Sequence, residues 1–531
     1  MHLRPRLRHL AVLGLAGILL AAIGASAAQS KPLSAGKASA SEIIDGTTDT
    51  VTNVDPAGNY DYGSGTVDLM VFQHLLDFDA GAHSTVPAPS LATGCKANSA
   101  QTAWTCTLRK GVVFSNGDPF TSTDVKWSFD RVLKIKDPSG IDSLLANLKS
   151  TTTAGPYSVV FHLKTPQSTW PYTLTTGAGS IVDHKVFPAG KLVPNSDVKD
   201  LVGTGPYVLT KFTPGQQAVF SPNKHYDGTN GKLVNSGVII TYYSKSSTMK
   251  LALQQGTIDM AFRDFTPTEY TALSKASGVK VYRGKGSEIR YLVLDVNKAP
   301  TNNLAVRQAL AYLMPRQDIA TRVYHGQVDP LYSMVPAGLP GHTNAFGEMY
   351  GMAPNPAKAK SVLAAAHVKT PIPLTIWWTP SHYGDASADE YTEIQRSLNA
   401  SGLFKVTLKS AEWATYVDTL GKTYPVFQLG WFPDYPDAED YLVPFYATGN
   451  FLSNGYTNKA MDALLTKEKA AKTTAARMKI VQQAQTLAAK DVPIIPYFQA
   501  SMQAVGRSDI QGIQSTLDPS FIMRFWLLSK S

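Results

Sequence analysis

The stretch Thr107–Val125, TLRKGVVFSNGDPFTSTDV, carries the most specific local signal in the chain. Its end, Thr121-Ser-Thr-Asp124, has the form of a capping box with Asp in place of Glu, and it predicts an amphipathic helix through Val132. On both sides, runs with strand spacing alternate with runs of helical spacing through most of the chain. The alternation predicts an α/β protein with several lobes.

Length and composition bound the class of protein. The chain has 531 residues, about twice the size at which a single hydrophobic core stops growing, so at least two domains are expected. Apolar residues make up 44% and charged residues 17%, which excludes a disordered chain. The 40 glycines follow no triplet period, which excludes collagen, and only one uncharged apolar run approaches a membrane-spanning length.

The amino terminus has the pattern of a secretory signal peptide. Three arginines precede an apolar run from Leu10 to Ile23 and the small residues Ala25-Ser26-Ala27, so we expect residues 1–27 to be removed on export, with an uncleaved anchor as the alternative. Loss of the three arginines lowers the formal net charge from +9 to +6. No cysteine lies near the cut, so the sequence predicts an exported protein of the cell envelope that is not a lipoprotein.

The two cysteines, Cys95 and Cys106, lie eleven positions apart. In an oxidising compartment such a pair is expected to form a local disulfide. Two cysteines are too few for a four-cysteine zinc or iron–sulfur site.

Motifs for catalysis, metals and nucleic acids are incomplete. Ser247-Thr-Met-Lys250 resembles an acyl-enzyme motif without its partner motifs, and Gly421-Lys422-Thr423 lacks the earlier glycine of a phosphate loop. The histidines show no ligand spacing, and basic residues form no run interleaved with aromatics. We therefore expect no catalytic site, no cofactor, no metal and no nucleic-acid partner.

Aromatic and acidic residues gather in one segment, Gln428–Tyr441, which follows a strand-like run. A loop at the end of a strand is where open α/β sheets bind ligands, and prolines, flat aromatics and carboxylates suit a rigid site for a cationic group. A solvated acidic turn with Trp431 in the core explains the composition equally well.

Six segments in order resemble the extracytoplasmic solute-binding proteins, family 5, that serve ABC importers of peptides, dipeptides and nickel. The first is the Thr107–Val125 stretch itself. The others are Gly203-Thr-Gly205-Pro206-Tyr207, Asn302–Leu310, Asn355–Ala359, Gly430-Trp431 with Asp434, and Ile494-Ile-Pro496. The match extends over almost the whole mature chain.

The resemblance implies a two-lobed periplasmic-binding-protein fold of type II that closes on its ligand by a hinge. Lobe I would comprise residues 41–285, with an inserted subdomain at about 80–195, and the tail 497–531. Lobe II would comprise residues 290–496.

The resemblance also implies the site. Asp434 matches the aspartate that holds a ligand's α-ammonium, Trp413 and Trp431 match pocket tryptophans, and Tyr62 falls at a contact of the first lobe. Backbone around Gly430 would pair with an extended peptide.

One feature departs from the family pattern. Where peptide-binding members place an arginine for the ligand's carboxylate, this chain has Gln428 and, after Trp378, Thr379. This departure argues against free dipeptides, and longer peptides, amidated ligands, polyamines or other amines remain. The expected function is a monomeric receptor that delivers peptides or related amines to ABC permease subunits and their ATPases. The alternatives are a receptor for nickel or a metal chelate and an exported peptidase or amidase.

Overall fold

A computed structural model describes residues 41–80, 85–380 and 382–531. The expected signal peptide, residues 1–27, lies outside them. Within these ranges no helix is both long and apolar enough to cross a membrane.

The strands, in chain order, are β1 Ile43–Thr47, β2 Leu76–Phe78, β3 Pro87–Pro89, β4 Ala92–Ala97, β5 Ala103–Leu108, β6 Leu148–Thr153, β7 Ser158–Leu163, β8 Tyr207–Thr213, β9 Gln217–Pro222, β10 Val238–Tyr242, β11 Met260–Phe262, β12 Val279–Gly284, β13 Ile289–Leu294, β14 Val328–Pro330, β15 Ile372–Trp378, β16 Phe404–Ser410, β17 Val426–Trp431, β18 Ile494–Ala500, β19 Met502–Arg507, β20 Ile510–Gln511 and β21 Ser529–Lys530.

The α-helices are α1 Tyr62–Val71, α2 Ser122–Ile135, α3 Trp170–Thr173, α4 Ser246–Gln254, α5 Pro267–Leu273, α6 Leu304–Leu313, α7 Arg316–Asp318, α8 Ala345–Tyr350, α9 Pro356–Ala365, α10 Ser387–Ala400, α11 Trp413–Thr419, α12 Val443–Tyr446, α13 Lys459–Lys469, α14 Thr474–Asp491 and α15 Ile513–Thr516. Single turns of 3₁₀ helix include Asp142–Leu145, Gly177–Gly179 and Ala438–Tyr441.

Two large mixed sheets form the two lobes. The sheet of lobe I has seven strands in the order β12-β19-β11-β1-β10-β9-β8, and that of lobe II has six in the order β14-β18-β13-β17-β15-β16. Their central strands are buried, as in β13, where all six residues are buried. Near-continuous apolar runs suit strands that are covered on both faces. The α/β, two-lobed fold expected from the sequence is confirmed.

The chain crosses between the two sheets twice. It leaves β12 for β13 after Gly284, and it leaves β18 for β19 at Ser501. A Cβ atom at Gly286 would lie 2.0 Å from the Ala500 carbonyl oxygen, so only glycine allows the two crossovers to touch. The boundary expected at 497 falls within β18, which ends at Ala500, and it stays a prediction. The other domain boundaries stay predictions.

A four-stranded antiparallel sheet, β4-β5-β7-β6, lies within the range expected for the inserted subdomain. Cys95 and Cys106 face each other across β4 and β5 and form the expected disulfide. The capping box is confirmed: the Thr121 backbone N–H donates to Asp124 Oδ2 at 2.8 Å, and α2 begins at the next residue.

A buried ion pair joins α2 to the first part of lobe I. Arg131 Nη1 donates to Asp55 Oδ1 at 2.7 Å, and the Arg131 and Asp55 side chains are 2% and 0% exposed. The Val193 backbone N–H donates to Asp55 Oδ2 at 2.7 Å. This carboxylate is therefore both neutralised and hydrogen-bonded inside the protein.

Candidate functional site

A cavity of about 580 Å³ lies between the lobes, and we call it the cleft cavity. Lobe I contributes the start of α1 and the tail around Phe521, and lobe II contributes α11 and the end of β17 with its following loop. All five residues expected at the site line it: Tyr62, Trp413, Gly430, Trp431 and Asp434. Their role in ligand binding stays a prediction.

Tyr62 is fixed at the first turn of α1. The N-cap residue Asp61 accepts a hydrogen bond from the Ser64 backbone N–H at 2.8 Å, which sets the start of the helix. The Tyr62 hydroxyl donates to the Phe521 carbonyl oxygen at 2.7 Å, and the Arg263 guanidinium lies 4.1 Å from the ring centroid. Tyr62 therefore presents a rigid aromatic face to the cavity.

Gly430 lies where β17 reaches the cavity. It pairs with Arg290 on β13, and a Cβ atom here would lie 2.3 Å from Arg290 Nη1. β17 pairs with β13 along its whole length but with β15 only at Phe427. The backbone near Gly430 thus lacks a strand partner on the β15 side, among the described residues, although Gly430 itself hydrogen-bonds to the hydroxyls of Tyr383 and Tyr291.

Asp434 lies at the boundary between the lobes. Its Oδ1 accepts a hydrogen bond from the Tyr60 hydroxyl of lobe I at 2.6 Å, and its backbone N–H donates to Asp440 Oδ2 at 3.1 Å. The Trp431 indole N–H also donates to Asp440 Oδ2, at 2.9 Å. No Lys, Arg or His forms an ion pair with Asp434 in the part of the chain that the structure describes.

Burial raises the pKa of Asp434 from its usual value to about 6. Burial and the nearby Asp434 carboxylate raise the pKa of Asp440 well above its usual range. Two neighbouring acids in a desolvated site cannot both ionise cheaply without a cation. A ligand ammonium placed against Asp434 would supply one.

Aromatic rings form the lobe II wall. Trp413 stacks on His382 with ring centroids 3.5 Å apart, and Trp431 packs edge-on against Phe445 at 5.1 Å. Partial desolvation and the nearby Arg290 guanidinium lower the pKa of His382 to about 4, so this imidazole is neutral at physiological pH. The wall provides flat apolar contact without charge.

The side chain that replaces the expected arginine does not face the cavity. Gln428 is fully buried, and its Nε2 donates to Glu390 Oε1 at 3.1 Å. A nearby guanidinium, Arg290, is packed behind Gly430 and forms an ion pair with Glu288 at 2.5 Å. Among the described residues that line the cavity none is Lys or Arg, whereas three are aspartates: Asp61, Asp68 and Asp434.

Sequence reasoning missed several cavity residues. Tyr60 could have been suspected from its place two residues before Tyr62, but its contact with Asp434 spans 374 positions. His382 and Tyr383 follow the Trp377-Trp378 pair after a short loop and gave no motif of their own. Asp68 and His74 lie in and just after α1, where helical spacing indicates core.

One group of metal-ligating side chains, Asp124, Asp183 and His184, lies outside the cavity. Their atoms already have protein partners. His184 Nδ1 lies 2.7 Å from Asp124 Oδ1, and Asp183 Oδ2 accepts from Asn116 Nδ2 at 2.9 Å. Asp124 also caps α2. The local fold therefore explains why these three side chains lie close together.

Comparison with known proteins identifies the family. The sequence model of the bacterial extracellular solute-binding proteins, family 5 Middle, matches residues 86–453. A curated relative, the probable D,D-dipeptide-binding periplasmic protein DdpA of Escherichia coli strain K12, is 28% identical over 472 residues, which are 86% of this chain and 88% of the relative.

Solved structures show the same fold. The ABC transporter-associated periplasmic binding protein DppA of Helicobacter pylori, in complex with the peptide STSA, superposes with a TM-score of 0.74 at 22% identity, covering 92% of this chain and 98% of that one. The ABC transporter substrate-binding protein CtaP of Listeria monocytogenes gives a TM-score of 0.80 at 20% identity, covering 92% and 99%. The chain belongs to the bacterial extracellular solute-binding proteins, family 5.

Proposed function

We propose that this protein is the exported receptor of an ABC importer and that it captures peptides or related amines by closing its two lobes on them. The observation that carries the proposal is the composition of the cleft cavity, where Asp434 lies beside Trp431 and no described lining residue is Lys or Arg. A half-buried carboxylate without a cation favours a ligand that brings one.

Closure would act through contacts that already join the lobes. Tyr60 of lobe I donates to Asp434 of lobe II, and the Ser168 backbone N–H of the inserted region donates to the Lys469 carbonyl oxygen at 2.8 Å. A ligand that contacts both walls stabilises this arrangement relative to an open one.

The relatives support peptides as the ligand class. Curated relatives are described as dipeptide- and tripeptide-binding proteins, and one solved neighbour holds the peptide STSA. The missing arginine clamp directs the proposal toward ligands whose carboxylate is distant, amidated or absent. The protein itself would act as a monomeric binding protein, without catalysis, and would hand its ligand to permease subunits with their ATPases.

The test combines identification with titration. Mass spectrometry of small molecules released from the purified native protein should identify an amine-bearing ligand. Tryptophan fluorescence should then change on titration with that compound, since Trp413 and Trp431 line the cavity. Absence of any fluorescence or thermal response across a library of peptides, peptide amides and amines would contradict the proposal.

A further inference from the structure

The lobe I end of the cleft cavity is a polar pocket, which we call the α1 pocket. It is formed by Asp68 on α1, His74 beyond the end of that helix, and Thr175 and Thr176. Asp68 is 1% and His74 is 2% exposed. Ile141 and Leu144 close one side. Buried polar side chains thus lie beside apolar ones in this wall.

Several polar atoms of the α1 pocket lack hydrogen-bond partners. Within the described ranges neither ring nitrogen of His74 has one, and Asp68 Oδ1 has none. The other carboxylate oxygen, Asp68 Oδ2, accepts from Asn59 Nδ2 at 3.1 Å. Buried polar groups are almost always satisfied, and leaving them unmade costs free energy. Because Asp68 and His74 belong to the lining of the cleft cavity, a ligand group that enters the wall at this point would satisfy them.

The pocket offers mainly acceptors. The Thr175 and Thr176 hydroxyls donate to the Tyr172 and Thr173 carbonyl oxygens at 2.7 and 2.8 Å, so only their lone pairs remain. Burial lowers the pKa of His74 to about 4, which leaves a neutral ring with one acceptor nitrogen. Acceptors around a carboxyl group suit a ligand group with several N–H donors.

The charged groups that raise the pKa of Asp68 are two other acids. Burial raises the pKa of Asp68 well above its usual range, and the neighbouring Asp55 and Asp61 raise it further, opposed by the hydrogen bond from Asn59. Asp55 is already neutralised by Arg131, whereas Asp68 forms no ion pair with any described residue. An entering cation would compensate Asp68 as Arg131 compensates Asp55.

We propose that the α1 pocket is a second subsite, which takes an ammonium or guanidinium side chain of the ligand whose amino group binds at Asp434. This proposal rests on the proposed function and narrows it to peptides that carry lysine or arginine. The neutral His74 ring and the threonine hydroxyls would accept the hydrogen bonds that Asp68 cannot.

Pairs of ligands that differ only in one ammonium group isolate the contribution of the second cationic group to affinity. Tripeptide amides with lysine at the first, second or third position are compared with partners that carry norleucine there, which retain the apolar chain but lack the ammonium. Affinities are measured by calorimetry for the wild type, Asp68→Asn and the control Asp130→Asn. Asp130 is exposed on α2 and paired with Lys126, so its substitution removes the same charge away from the cavity.

Asp68→Asn should fold, because the new side-chain oxygen can still accept from Asn59 and the amide has nearly the size of the carboxyl group. For at least one lysine position we expect the wild type and Asp130→Asn to bind the lysine-containing amide at least tenfold more tightly than its norleucine partner. In Asp68→Asn this ratio of affinities should fall to about twofold. A second variant, His74→Leu, should lower the ratio severalfold, and thermal unfolding of all variants verifies the fold.

Equal or tighter norleucine binding at all three positions, or an unchanged ratio in folded Asp68→Asn, would overturn the second subsite. Norleucine amides would still bind in that case, so the proposed function would stand. Failure of every amide to bind would contradict the proposed function, and the second subsite with it.

Discussion

Two aspartates of this protein differ in whether the fold supplies a cationic partner. Asp55 is inaccessible to solvent and meets Arg131 within the fold, whereas Asp434 at the lobe boundary meets the Tyr60 hydroxyl and no described cation. A buried carboxylate that has its cation inside the chain stabilises the structure, provided both remain. A carboxylate without one raises the free energy of the empty cleft and favours a cationic ligand. We infer that the difference separates a structural acid from a binding acid.

The largest expected effect comes from breaking the structural pair. Arg131→Met leaves Asp55 buried and unpaired and should lower the free energy of unfolding by about 3–5 kcal/mol. Chemical denaturation measures the loss. Asp434→Asn serves as the matched comparison and should lose little stability. Equal destabilisation by both variants would contradict the distinction.

The second-largest expected effect is weaker ligand binding. Asp434→Asn should weaken ligands with a free amino group by about 1.5–3 kcal/mol, the range for a hydrogen bond to a charged group. Calorimetry with a tripeptide amide measures it, and Asp130→Asn is the control for loss of one negative charge. Unchanged affinity in Asp434→Asn would remove Asp434 from the site.

The pKa of Asp434, raised by burial to about 6, predicts a pH dependence. Because the folded pKa lies above the unfolded one, the empty protein should gain stability as pH falls through 6. Affinity for an ammonium ligand should fall over the same window, by up to tenfold per pH unit below 6, since the carboxyl group must release a proton to bind. Titrations from pH 5 to 7 test this. A profile shared by Asp434→Asn would assign the titration to another group.

Tyr60→Phe should have the smallest effect. The Tyr60 hydroxyl favours the ionised form of Asp434, so its loss should raise the pKa of Asp434 further and weaken binding by about 0.5–1.5 kcal/mol at pH 7. The pH profile of binding would move upward. A loss as large as that of Asp434→Asn would make Tyr60 a direct ligand contact.

The sequence predicted the acids and aromatics that lie within motifs, but not the contacts between distant segments. Gly430 and Trp431 end β17 and Asp434 follows it, so all three were visible in one run of residues. Tyr60 and Arg290 acquire their neighbours, Asp434 and Gly430, only when β13 and β17 pair and the lobes meet. The α1 pocket was hidden for another reason: helical spacing predicts that Asp68 is buried, which it is, and only the cavity shows that it borders the cleft.

The measurement that tests the central claim most directly is a cycle of two ligands and two proteins. A tripeptide amide and its N-acetylated form are titrated into the wild type and Asp434→Asn. We expect the wild type to bind the tripeptide amide with a free amino group at least tenfold more tightly than the acetylated form. We expect Asp434→Asn to bind the two ligands with equal affinity. Retention of the full preference in Asp434→Asn would contradict the assignment of Asp434 as the acid that binds the ligand's amino group.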